Sequence, residues 1–323
     1  MESNDVSIVH SKQNGPNGGY GKRKKPIDKA KLFFIIAFLC VPTINFIVFF
    51  IYPNIDAFFM SFQKPIYSLT GVSYDWTTEQ FEKVFNSFFA DPNGLLRLAF
   101  KNTILQYMTG TFITFPLSIV MTYFIYKQIA GYRVFRFIFY LPSIITSAAI
   151  VMLFKYSLQT GGPMANICKA FGVDWTYPLT DPNRANPTIL IYTVLFGFGG
   201  NLVVYGGAMN AINGEMLEAG ELDGCNWFQE LIFLVIPSIW PTMSTSLILG
   251  LAGILGSSGP VLTFTKGDYG TTTLSFELYR LVGGINCTQD LYYASAVGMT
   301  MTVFVFPLVL FIRWWIYGRK EQE

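Results

Sequence analysis

LFFIIAFLCVPTINFIVFFIY, residues 32–52, contains no Asp, Glu, Lys, Arg or His. A helix rising about 1.5 Å per residue needs roughly twenty such residues to cross the ~30 Å hydrocarbon core of a bilayer. The run follows a polar leader in which Lys22, Arg23, Lys24, Lys25, Lys29 and Lys31 cluster. It begins too deep and runs too long for a cleavable leader, and no small-residue cleavage site follows it, so it reads as a retained membrane helix. Five more uncharged runs follow at about 104–126, 137–154, 188–212, 238–262 and 291–312. The expectation is an all-α integral membrane fold of about six transmembrane helices. Composition agrees, with 52% hydrophobic, 17% aromatic and only 13% charged residues in a chain of 323, where a soluble domain carries about 25% charged.

Six spans put both termini on one side, and Lys and Arg say which. The leader, the 127–136 loop and the C-terminal end hold 13 of them, against 9 in the segments 53–103, 155–187 and 263–290. That excess places both termini in the cytoplasm. The division that follows is a cytoplasmic tail over 1–31, a first helix with an extracytoplasmic segment over 32–99, a core domain over 100–317 and a cytoplasmic end at 318–323. A net charge of +2, with its positive cluster directly before a span, marks topology and gives no reason to expect nucleic acid as a partner.

Several chemistries lack their residues. Cys40, Cys168, Cys225 and Cys287 are scattered without metal-like spacing, and the one histidine, His10, sits in the Gly- and Asn-rich leader, so neither a metal site nor a histidine-dependent triad is expected. Gly21-Lys22 imitates the end of a phosphate loop, but Pro16 stands where its first glycine belongs and Arg23 where Ser or Thr is required, so no ATP site is expected on this chain. The spans offer no carboxylate, amine or imidazole, which disfavours an intramembrane enzyme and a proton-coupled carrier. Sodium coupling through carbonyls and hydroxyls stays open. Asn201 and Asn210, polar within an apolar run, are the candidates for lining a translocation path, and an interhelical hydrogen bond is the competing role for each.

Residues 213–237, NGEMLEAGELDGCNWFQELIFLVIP, break the charge pattern: a loop expected in the cytoplasm has no Lys or Arg, and its acids alternate with Met216, Leu217, Leu222, Trp227 and Phe228. Asn213 is placed to cap a short helix through Ala219 to Leu222, and Gly224 to supply a turn with positive φ. Asn226 with Gln229 three residues on signals a second helix start, with Pro237 as its stop. Glu218-Ala219-Gly220, then Asp223-Gly224, nine residues, and Leu234-Val235-Ile236-Pro237 resemble the signature loop of binding-protein-dependent ABC importer permeases: Glu-Ala-Ala, three residues, Gly, nine residues, aliphatic, any, aliphatic, Pro. Phe100-Lys101-Asn102-Thr103, Arg133-Val134-Phe135-Arg136 with Tyr140-Leu141-Pro142, and Tyr293-Ala294-Ser295-Ala296 extend the resemblance over roughly residues 100–317, toward the carbohydrate branch. Gly220 and Cys225 replace usual alanines, and 262–268 keeps only part of the branch's Thr-x-Gly-Gly-Pro stretch.

The resemblance implies a type I importer permease for a sugar or oligosaccharide, with a cytoplasmic coupling helix between the fourth and fifth spans. Met216, Leu217, Glu218, Ala219, Gly220, Leu222, Asp223 and Gly224 would form the ATPase-coupling surface. An ABC ATPase dimer holding ATP and Mg, a second and homologous permease, an extracytoplasmic solute-binding protein and membrane lipid are the implied partners, in a bacterial plasma membrane. This chain would itself be neither an enzyme nor a cofactor binder. The same machine for a non-sugar solute, and a membrane sensor or scaffold without transport, are the alternative readings.

Overall fold

The computed structural model describes residues 29–68, 71–91, 94–256, 260–283 and 290–317. His10, Cys287, most of the basic leader and the C-terminal end lie outside them. The chain divides into two compact units, Met1–Asn54 and Ile55–Glu323.

The first unit carries most of an apolar helix, α1 (Phe33–Ser61). Over residues 33–54, within that unit, every side chain is exposed: Phe33 to 74%, Val41 to 72% and Phe49 to 73%. A helix apolar all round belongs in lipid, where its internally satisfied backbone costs nothing.

The second unit opens with a feature absent from the all-α expectation. Strands β1 (Gln63–Ser68) and β2 (Gly71–Trp76) pair antiparallel, Gln63 opposite Trp76 and Ser68 opposite Gly71. A short helix α2 (Glu79–Phe85) follows. Then come α3 (Leu95–Tyr126), α4 (Tyr132–Ile144), α5 (Ser147–Leu158), α6 (Pro163–Ala170), α7 (Ala185–Asn210), α8 (Gly214–Leu222), α9 (Trp227–Ala252), α10 (Val261–Phe264), α11 (Leu274–Val282) and α12 (Leu291–Tyr317).

Among the described residues α1, α3, α7, α9 and α12 are each long and apolar enough to cross a membrane. The expected third span is a broken one, because α4 bends by 107° into the segment Ser147–Ala170. Ile145 and Thr146 at the break are extended, with ψ of 146° and 136°. Three β-branched residues in a row, Ile144 to Thr146, disfavour continued helix, and Pro142 has already removed a backbone donor.

The fifth span corrects a second expectation. It starts at Trp227, well before Ser238, and Pro237 does not stop it. Instead, Leu231–Val235 forms a π turn in which the Ile236 N–H donates to the Leu231 carbonyl. The same device precedes Pro53, where Tyr52 N–H reaches Ile47, and Pro116, where Phe115 N–H reaches Gly110. A proline ring collides with the carbonyl four residues back, and a wider turn moves that carbonyl aside.

Buried side chains gather in three clusters. One joins Ile119 and Tyr123 of α3, Tyr205 and Met209 of α7, Leu217 of α8 and Leu231, Val235 and Ile239 of α9. The others centre on Ile189, Tyr192 and Phe264, and on Leu96, Leu274 and Val297. Near the start of α3, Asn102 is buried and fully used: its amide donates to the carbonyls of Gly270 and Thr272 at 2.8 Å each, and its oxygen accepts from Asn186 at 2.9 Å. The Thr103 hydroxyl accepts from Leu274 N–H at 2.9 Å. The Phe-x-Asn-Thr stretch is thus a clasp that fixes the 270–274 segment, the turn leading into α11, against α3.

Candidate functional site

At the other end of α3, residues 213–229 fold from their local chemistry as expected. Asn213 Oδ1 accepts from Glu215 N–H at 3.1 Å and starts α8. Nine residues make a helix about 13 Å long, too short to persist without caps and packing. At its end Gly224 takes φ +78°. Cys225 N–H donates to the Gly220 carbonyl at 3.0 Å and Gly224 N–H to that of Glu221 at 3.1 Å, the paired reverse bonds of a Schellman motif. Asn226 Oδ1 then accepts from the N–H groups of Phe228 and Gln229, while Gln229 Oε1 accepts from Asn226 N–H. That reciprocal pair is a capping box and begins α9 directly.

The structure divides the eight sequence-predicted residues into two faces. Glu218, Ala219, Leu222, Asp223 and Gly224 are exposed, Leu222 to 88%. Leu217 points inward, 6% exposed, among Tyr123, Met209 and Val235, and Met216 lies half-buried against the same cluster. Gly220 is also buried: a Cβ there would stand 2.6 Å from Leu234 Cδ1, so the missing methyl lets α8 sit close on α9. Leu217, Met216 and Gly220 therefore seat the helix, and the apolar surface left outward is Leu222 alone of the three expected leucine and methionine side chains.

Three residues outside the predicted eight hold this seat. Lys127, directly after α3, places Nζ 2.8 Å from Glu221 Oε1 on α8 and 2.8 Å from Glu230 Oε1 in the first turn of α9. Burial of the ammonium opposes its charge, but the hydrogen bonds and charges of Glu221 and Glu230 prevail and move its pKa upward. Lys127 in turn holds the Glu221 carboxyl below its ordinary range. The only sequence signal was an acid, Glu230, in the opening turn of an apolar span.

Asn201 and Asn210 are not brought together. Asn201 lines a cavity of about 260 Å³ with Tyr107, Thr111, Thr114, Thr193 and Ser246, and the Thr114 hydroxyl there is buried with no protein partner. Asn210 lines a different cavity of about 260 Å³ with Tyr126, Tyr132, Arg136 and Tyr140. Among the described residues no group of three or more His, Cys, Asp or Glu is placed to hold a metal ion.

A membrane protein of several spans, with a capped, half-exposed helix seated between the fourth and fifth, has the architecture of a transporter subunit. The family described as binding-protein-dependent transport system inner membrane components matches residues 114–317, and the chain belongs to it. It is therefore a multi-pass plasma-membrane protein and a permease subunit of a binding-protein-dependent importer. Its relatives include the probable ABC transporter permease YesP of Bacillus subtilis, 24% identical over 90% of this chain and 91% of that one. The lactose permease LacF of Rhizobium radiobacter is 26% identical over 70% and 76%. The multiple-sugar permease MsmF of Streptococcus mutans is 23% identical over 83% and 90%. Among solved structures, a bacterial ABC transporter that imports the acidic polysaccharide alginate superposes with a TM-score of 0.75 at 23% identity, over 90% of this chain and 96% of that one. That shared fold extends to the alginate transporter in complex with its pentasaccharide-bound periplasmic protein, TM-score 0.70, over 88% and 94%.

Proposed function

We propose that this permease carries a sugar or oligosaccharide into the cell and that α8 is its contact with the motor. Two relatives carry lactose or multiple sugars by name, and the Asn201 cavity, lined by several hydroxyls and one amide and free of charge, suits a neutral polyhydroxyl cargo. In this reading a dimer of ATPase subunits holds ATP and Mg and meets the face made by Glu218, Ala219, Leu222, Asp223 and Gly224. A second, homologous permease completes the path, a binding protein docks outside, and both termini lie in the cytoplasm. The observation that carries the assignment is the two-faced α8: one side seated on the ends of α3, α7 and α9, the other exposed and acidic.

The test is ATP hydrolysis by the purified complex with and without its binding protein and a panel of lactose, maltodextrin and alginate oligosaccharide, comparing wild type with Glu218→Lys and Gly224→Asp. Loss of the stimulated rate in inserted, folded variants is the expected result. If no ATPase accompanies the chain and neither substitution changes anything, α8 is not a coupling element.

A further inference from the structure

We infer that Lys127 is a positioning residue of the coupling site, locking α8 to the ends of α3 and α9 so that the three elements move as one body. The inference rests on α8 being the ATPase contact. Apolar packing such as that of Leu217 is non-directional and tolerates sliding. An ammonium between two carboxylates from different elements ties both at a set distance, the Glu221 arm as a hydrogen bond and the Glu230 arm as an ion pair. Lys127 leaves the end of α3 and reaches an exposed glutamate on α8 and a buried one in α9, Glu230 being 4% exposed. Among the described residues no other cation stands within ion-pair distance of either glutamate. Tilting α8 away from α9 must therefore break one arm of this bridge, and breaking the other would strand a buried carboxylate.

The test uses the purified permease–ATPase complex with its cysteines replaced and nitroxides at Glu215→Cys on α8 and Phe233→Cys on α9, both exposed sites. The interlabel distance is measured by pulsed electron resonance without nucleotide and after trapping with ATP and vanadate. In wild type and in Lys127→Arg the distance is expected to be the same in both states; in Lys127→Met it shifts and broadens on trapping. A double variant, Lys127→Met with Glu230→Met, removes the stranded carboxylate and restores thermal stability, and it too should lose the fixed distance.

If the double variant keeps the fixed distance, Lys127 only neutralises a buried charge and the inference is overturned. A distance that changes in the wild type, or that stays fixed in Lys127→Met while Glu218→Lys abolishes the stimulated hydrolysis, overturns it as well. Failure of the underlying reading looks different: ATP hydrolysis ignores Glu218→Lys and trapping shifts the distance in no variant.

Discussion

Asn102 and Lys127 show at the scale of single residues why polar groups tolerate this apolar fold. Each is buried or half-buried and each answers several partners at once, so removing either leaves more than one orphan. Asn102→Ala would strand the buried carbonyl of Thr272, at roughly 1–3 kcal/mol, and would leave the part-buried carbonyl of Gly270 and amide of Asn186 to find water. The expected outcome is a lower unfolding temperature in detergent, with Asn102→Asp no better because a carboxylate cannot donate to the two carbonyls. A variant that melts with the wild type would show that water replaces the clasp. Neither residue's partners were legible in the sequence. Asn102 belonged to a recognisable stretch, but its contacts lie 84, 168 and 170 residues away, and no local periodicity encodes such distances. Gly224 was legible, because a positive φ after a short capped helix is a local requirement that glycine meets at little cost.

Among the elements, α8 and the start of α9 follow their sequence closely, since Asn213, Gly224, Asn226 and Gln229 act within three residues of themselves. The prolines were harder to read. Pro42, Pro241 and Pro307 lie inside α-helical turns, whereas Pro53, Pro116 and Pro237 each follow a π turn. A proline announces a missing donor but not how the preceding turn accommodates it, and Pro237 read as a stop for that reason. Replacing it tests the account. Pro237→Ala restores a donor for the Phe233 carbonyl and lets Leu231–Val235 relax toward α geometry, so amide exchange across 231–237 should slow about tenfold, equivalent to about 1.4 kcal/mol of local stability. Unchanged exchange would mean that packing of Leu231 and Val235 alone imposes the wide turn. The hairpin Gln63–Trp76 escaped notice because it lies between two long apolar segments that dominate any reading by hydropathy.

For the whole molecule, the apolar character of the spans follows from run length, and the structure adds that among the described residues five are continuous helices and the sixth run is a pair bent by 107°. The sidedness inferred from Lys and Arg remains to be measured. Gln128 and Tyr74 are both exposed and belong to segments expected on opposite sides. In a cysteine-free background, a membrane-impermeant maleimide should label Tyr74→Cys in spheroplasts and Gln128→Cys only in inverted vesicles. The reverse pattern would turn the topology over and remove α8 from the cytoplasm.

The helix α3 is anchored near both ends, by Asn102 at one and Lys127 just beyond the other, roughly 37 Å apart by helical rise. Its partners are made long afterwards: Glu221 is 94 residues downstream of Lys127, and Gly270 is 168 downstream of Asn102. At a synthesis rate of about 5–20 residues per second, Lys127 waits some 5–20 s for its first carboxylate and Asn102 about 8–34 s for its first carbonyl. Until residue 186 is made, an early helix stands in the bilayer with both ends unanswered. The order of translation thus makes α3 the template on which α8, α9 and the 270–274 segment are later assembled, and a chain halted before residue 186 would carry that template with neither lock closed.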